Sequence, residues 1–259
     1  MKKGETLWTR DQHIVALNLY CKIGFSKADK SHPKVKELSA VIGRSPSSVA
    51  MKLSNFGRLD PALKERGVKG MSKGSKGEVP VWNEFYNDFE KLAEVSELLL
   101  AKFKKLPLEV SAEIETWDLP EGKERKAMIT VRVNQKFFRD MIVGLYKTQC
   151  CITGLKNQNL LVAAHIMPWA KDGKNRMNPV NGLCLNELHD KAYEAGLISI
   201  TPDYKIQISP VLKKQKKEEA VQQFFLRYEN QSIILPPKHL PDTSFLDKHY
   251  SERFIKNVS

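Results

Sequence analysis

Apolar residues recur at helical spacing in several stretches of the first half of the chain. TRDQHIVALNLYCKI opens with Thr9 and carries Gln12 three positions later, a capping box ahead of an apolar run, and this predicts a helix from about Arg10. In HPKVKELSAVIGRSPSSVAMKLSNF, the positions Val35, Leu38, Val41 and Ile42 form one helical face, and Gly43 permits a turn. Ser45 followed by Pro46 then starts a second helix. Val49, Leu53 and Phe56 take its inward face, so Ser47, Ser48, Lys52 and Asn55 are expected outward. Pro80 opens a long helix carrying Phe85, Phe89, Leu92, Leu99 and Phe103 in register until Pro107. A further amphipathic helix spans Gln135 to Lys147 through Phe138, Met141, Ile142, Leu145 and Tyr146.

The period then changes. LLVAAHI suits a buried strand, WAKDGKNRMNP is a loop with Asp172-Gly173 as its turn signal, and VNGLCLN suits a returning strand. ELHDKAYEAG is a short helix stopped by Gly196. LISITPDYKIQIS alternates as two short strands around Pro202-Asp203, ahead of a helix near Lys216 to Tyr228 and a proline-rich tail. Between Gly67 and Gly77, GVKGMSKGSKG holds four of the chain's 14 glycines without an apolar period and reads as a flexible basic linker. The expected class is α+β. A helical, helix-turn-helix-like domain occupies 1–66, the basic linker, long helix and a charged connector occupy 67–127, and a strand-loop-strand-helix domain with a C-terminal extension occupies 128–259.

Composition narrows the partners. The 259 residues are 41% hydrophobic, enough for folded cores, and the formal net charge of +12 favours a polyanion, DNA or RNA, bound through salt-dependent counterion release. The alternative is that surplus lysine serves solubility alone. No apolar run follows Met1-Lys2-Lys3 or approaches the roughly 18 residues of a membrane helix, so a cytoplasmic protein without membrane contact is expected. The four cysteines lack C-x-x-C spacing, which argues against a zinc ribbon or a disulfide framework.

Three polar residues punctuate the apolar strands: His165 ends the first, Asn181 starts the second and His189 sits on the following helix. Cleaving a phosphodiester needs a base, a cation for the phosphate oxygens and an element that keeps them in line. A histidine near neutral pKa can serve as base, an imidazole can bind a divalent ion, and an asparagine can brace a loop. Taken singly, the same residues could be a core histidine, a helical surface histidine and a turn former.

Their contexts coincide with more than that pattern. The motifs Cys151-Ile152-Thr153-Gly154, Ala163-Ala164-His165-Ile166-Met167-Pro168-Trp169, Asn178-Pro179-Val180-Asn181-Gly182-Leu183 and His189-Asp190 occur in this order. Residues 135–201 thereby resemble the HNH endonuclease superfamily, the ββα-metal fold. The resemblance implies an HNH nuclease domain, following the helix-turn-helix-like domain read from the N-terminal pattern, with His165 as general base, Asn181 orienting the loop that bears it and His189 as a metal ligand. Many members carry an acid or a second histidine where this chain has Ala164, and some carry a further helical histidine where it has Tyr193. Asp190 is then the nearest second ligand, and a weakly held magnesium or manganese ion is favoured over zinc.

Arg176 in the loop could clamp a phosphate, Lys52 and Asn55 could meet a groove or backbone, and Lys213, Lys214, Lys216 and Lys217 form a basic run. The implied activity is metal-dependent cleavage of double-stranded DNA by a restriction or defence nuclease, with a two-fold dimer as the simplest route to cutting both strands. The alternatives are a DNA-binding regulator with a vestigial nuclease fold and an RNA-directed nuclease.

Overall fold

The first helix, α1 (Arg10–Ile23), begins at the capping box: Thr9 Oγ1 accepts the Gln12 N–H and Gln12 Oε1 accepts the Thr9 N–H, each at 3.2 Å. The computed structural model describes residues 7–23, 28–67, 74, 76–169 and 173–257. These fall into two units, Met1–Met141 and Ile142–Ser259. In the first unit α1 is buried on almost every side, and the helices around it are α2 (Pro33–Val41), α3 (Pro46–Gly57), α5 (Glu78–Phe85) and α6 (Phe89–Lys104), with α4 (Pro61–Glu65) between α3 and α5. Gly43 turns α2 into α3 at φ +66°, and Ser45 accepts the Ser48 N–H at 3.2 Å to cap α3. Val49, Leu53 and Phe56 are buried on α3 as expected.

The single long helix expected from Pro80 to Pro107 is two helices. Asp88 accepts the Lys91 N–H at 3.0 Å, which starts α6 as a separate element after α5 has ended. Lys105, in the left-handed region at φ 57°, then ends α6 ahead of Pro107. The charged connector contains α7 (Leu108–Ser111), and the next helix, α8 (Lys123–Leu145), starts well before Gln135. Ile129 and Val133 of α8 pack with Ala112, Leu108, Ile114 and Leu119. Helices α5 to α7 thus share a unit with α1. Most of the basic linker, 68–73 and 75, lies outside the described residues.

Lys52 and Asn55 do not face outward. Both are buried at 5% exposure, and both meet Glu78 Oε1, Lys52 Nζ at 2.5 Å and Asn55 Nδ2 at 2.8 Å; Glu78 itself is fully buried. Lys52 Nζ also lies 5.0 Å from the centre of the Trp8 ring. A buried carboxylate requires a countercharge and donors, and α3 supplies them. The helical period of α3 carries no sign of a partner 26 residues further along.

In the second unit β1 (Leu161–His165) and β2 (Gly182–Asn186) pair antiparallel, Ala163 opposite Cys184 and His165 opposite Gly182, and α9 (Glu187–Glu194) follows β2 directly. Gly196, at φ +69°, stops α9; a Cβ there would lie 2.1 Å from the Arg253 carbonyl oxygen, so only glycine fits. β3 (Ile198–Ile200) and β4 (Ile206–Ile208) form the expected hairpin. The helix expected near 216–228 is shorter, α11 (Glu219–Phe224) and one 3₁₀ turn, preceded by α10 (Pro210–Lys214). The tail holds an unanticipated helix, α12 (Thr243–Glu252), capped where Asp242 accepts the Ser244 N–H at 2.8 Å. No helix among the described residues is long and apolar enough to cross a membrane.

His249 anchors α12. Its ring stacks on Tyr193 at 3.7 Å between centroids, Nε2 donates to the Tyr193 carbonyl at 3.2 Å, and Nδ1 accepts from the Ser199 hydroxyl at 2.9 Å. Burial pushes its pKa down to about 4, against the opposing pull of the Tyr193 carbonyl. The unfolded chain therefore takes up a proton near pH 6.5 that the folded chain refuses until about pH 4. Stability should fall by up to about 3 kcal/mol as pH drops across that window. Urea midpoints between pH 7 and 4.5 should show a smaller slope for His249→Gln than for the native chain; equal slopes would contradict the assignment. Glu78→Ala, which removes the carboxylate that the buried Lys52 and Asn55 meet, should cost about 3–5 kcal/mol, and the Lys52→Met, Glu78→Leu double variant should recover most of that loss in the same denaturation assay.

Candidate active site

Asn181 organises this region. It closes a 3₁₀ turn, Pro179–Asn181, whose start is capped by Asn178, and its side chain is wholly buried. Oδ1 accepts the Met167 N–H at 2.7 Å, and Nδ2 donates to the Met167 carbonyl at 3.2 Å and to the Asn175 carbonyl at 3.1 Å. Its own carbonyl accepts the Ile166 N–H at 2.9 Å. One amide therefore ties the chain leaving β1 to the loop that returns to β2, the bracing that an asparagine's paired donor and acceptor allow.

His165, at the end of β1, is half-buried beside that loop. Its Nε2 lies 2.9 Å from the Arg176 carbonyl oxygen. A carbonyl only accepts, so Nε2 carries the proton and the neutral ring holds its lone pair on Nδ1. Burial lowers the pKa from 6.5, and the bond to Arg176 opposes this in part. The Trp169 ring stands edge-on to the imidazole, at 5.2 Å and 82°, and the Arg176 guanidinium lies 5.4 Å from the same indole. Arg176 Nε also donates to the Gly173 carbonyl at 3.1 Å, and a Cβ at Gly173 would come within 2.8 Å of the guanidinium. Asp172, the first half of the expected turn signal, lies outside the described residues.

His189 occupies α9 and is 2% exposed. Asn186 Oδ1 accepts the His189 main-chain N–H and also lies 2.9 Å from Nδ1, while Nε2 donates to the Phe224 carbonyl at 2.8 Å. Phe225 and Tyr228 complete the enclosure, with ring centroids at 5.5 and 5.8 Å. Burial lowers the pKa of His189. Asp190 is largely buried, and burial first and Glu194 second raise its pKa above the usual carboxylate value, partly offset by Lys191. Among the described residues no three of His, Cys, Asp and Glu gather so that they could hold a metal ion. As arranged, His189 fits a metal poorly, because both ring nitrogens face oxygens of the protein itself.

His165, Asn181 and Arg176 are therefore brought together around one loop, and His189 and Asp190 stand on the helix beyond β2. Lys52 and Asn55 belong to the first unit and are engaged by Glu78. Lys213, Lys214, Lys216 and Lys217 are exposed, and Lys213 pairs with Glu229. Sequence reasoning quoted Trp169 only as part of a motif and did not find Asn175, Asn186 or Phe224. Phe224 acts through its main chain, which leaves no residue-type signal.

Strand, loop, strand and helix, with a buried asparagine bracing the loop beside a half-buried histidine, make up a ββα arrangement. Residues 150–201 match the family model described as HNH endonuclease, which supports a nuclease of the HNH type. No match to the chain is found among curated proteins.

Asn181→Ala should destabilise the protein by about 2–4 kcal/mol, because it strips the buried partners from Met167 and Asn175. Asn181→Asp should cost more, since it sets a carboxylate against two carbonyl oxygens. Urea denaturation reads the cost, and hydrogen exchange over residues 166–177 should accelerate in both variants. Unchanged exchange there would show that the brace is dispensable.

Proposed function

We propose that this protein is a divalent-metal-dependent endonuclease that hydrolyses phosphodiester bonds in double-stranded DNA, in the manner of a restriction or defence nuclease of the cytoplasm. The observation that carries this reading is the hold on His165: its Nε2 proton is committed to the Arg176 carbonyl, so Nδ1 is the basic atom. Water activated at Nδ1 attacks phosphorus, the phosphate–sugar oxygen bond breaks, and the leaving oxygen takes a proton from solvent. Because burial lowers its pKa, His165 is neutral at ordinary cellular pH and able to accept that proton. Arg176, with the planar fork suited to phosphate, is the substrate clamp. The net charge of +12 and the exposed run Lys213 to Lys217 support a polyanionic substrate. The resemblance to HNH nucleases calls for a metal, magnesium or alternatively manganese, with Asp190 as the carboxylate offered to it. The α2–α3 pair is the candidate targeting element, without Lys52 and Asn55 as contacts, and a two-fold dimer would bring a centre to each strand.

A second reading, a DNA-binding regulator with a vestigial centre, is favoured by one observation: the commitment of His189 to Phe224 and Asn186. Plasmid cleavage separates the two. The native chain should cut with magnesium or manganese and stop with a chelator, and His165→Ala should lower the rate about 100-fold or more. Activity should rise with pH through a midpoint below 6.5 and level above it, since the base works when neutral. Equal cutting by both chains would remove His165 as base, no cutting with any metal would favour the regulator, and preference for matched RNA would redirect the substrate.

A further inference from the structure

Trp169 stands between two groups that the proposed reaction uses. Its indole meets the His165 ring edge-on at 5.2 Å and lies under the Arg176 guanidinium at 5.4 Å. His165 in turn donates Nε2–H to the main-chain carbonyl of Arg176. The contacts close a circuit: imidazole to carbonyl, side chain of that residue to indole, indole back to imidazole. The main chain two residues before the indole is held, since Met167 has its N–H and its carbonyl bound by Asn181. The charged group in this circuit is Arg176, and burial and the Arg176 carbonyl both act on the imidazole.

We propose that Trp169 is the positioning residue of this site, fixing the orientation of the His165 imidazole and holding the Arg176 guanidinium beside it until a DNA phosphate takes its place. The chemistry of this proposal rests on the nuclease reading; the circuit does not. A guanidinium over an aromatic face is bound weakly enough to leave and firmly enough to be kept from wandering. A phosphodiester offers it charge-assisted bonds to two oxygens, which the indole cannot match. In the unliganded protein the arginine is thus prepared for phosphate, and less of its freedom is lost on binding. An indole serving as packing alone would contribute to stability and leave the base and the clamp unaffected.

The comparison that decides between these roles uses the full chain with Trp169→Leu, which keeps apolar bulk without a ring face, with Trp169→Phe, which keeps the face, and with Trp169→Ala. Cleavage kinetics with magnesium should show KM raised about fivefold or more and kcat lowered in Trp169→Leu, and Trp169→Phe should remain within about twofold of the native chain. The NMR titration of the His165 ring, assigned by its loss in His165→Ala, should move up toward 6.5 in Trp169→Ala as water replaces the indole. The signal of His249, which is built into α12, should stay in place and report an intact fold. An unmoved His165 titration overturns the proposal, as does a Trp169→Leu variant that loses stability while kcat and KM stay native. If the native chain cleaves nothing, the nuclease reading fails by itself, and the titration still decides whether Trp169 positions His165.

Discussion

The hydrogen bonds that tie Asn181 to Ile166, Met167 and Asn175 are the constraint on which the loop between β1 and β2 depends. A loop that joins two antiparallel strands is ordinarily free at its middle, and a base at the end of β1 would inherit that freedom. Here the residues leaving β1 are bound through Ile166 and Met167, and the loop's far side is bound through Asn175. Because Arg176 follows Asn175, fixing one carbonyl also places the next, which receives the His165 proton. The buried amide therefore acts on the imidazole without touching it. Its fully buried position costs little because each of its polar atoms has a partner.

The first unit uses a buried polar group differently. Glu78 begins α5, and the donors it needs come from α3, so the ion pair ties the helix-turn-helix-like pair to the helices that follow. Such a pair adds little net stability compared with apolar packing, but losing one member is costly. It also takes Lys52 and Asn55 out of contact with solvent, whereas Ser47 on the same helix is exposed.

Local rules made much of the fold legible. The Thr9–Gln12 box, the Ser45-Pro46 start, the Gly43 turn and the strand-loop-strand-helix order all act over a few residues, and the structure has each of them. The split at Asp88 was hidden because an aspartate that caps a new helix leaves the apolar period of its neighbours intact. α12 was hidden because prolines dominated its surroundings, and its anchor is the tertiary stack of His249 on Tyr193. The site divides in the same way. His165, Asn181 and Arg176 sit where their motifs put them, whereas the enclosure of His189 comes from a main-chain carbonyl in α11, and the fate of Lys52 and Asn55 was decided by a residue far along the chain. Patterns of short period describe faces of elements, but they do not say which partner those faces meet.

Gly196 has a consequence for modularity. The stretch that matches the HNH family stops at Thr201, yet the end of its helix is closed by later chain: Arg253 crosses Gly196 too closely for a side chain, the Ile255 N–H bonds the Gly196 carbonyl at 3.0 Å, and Ile234 bonds back to Cys151 at 2.7 Å. The recognisable motif and the cooperative folding unit are different objects. A recombination event or a designed graft that moved only the motif would deliver the catalytic vocabulary without the grammar that holds it in order, so inheritance of this centre has to carry the C-terminal wrap along with it.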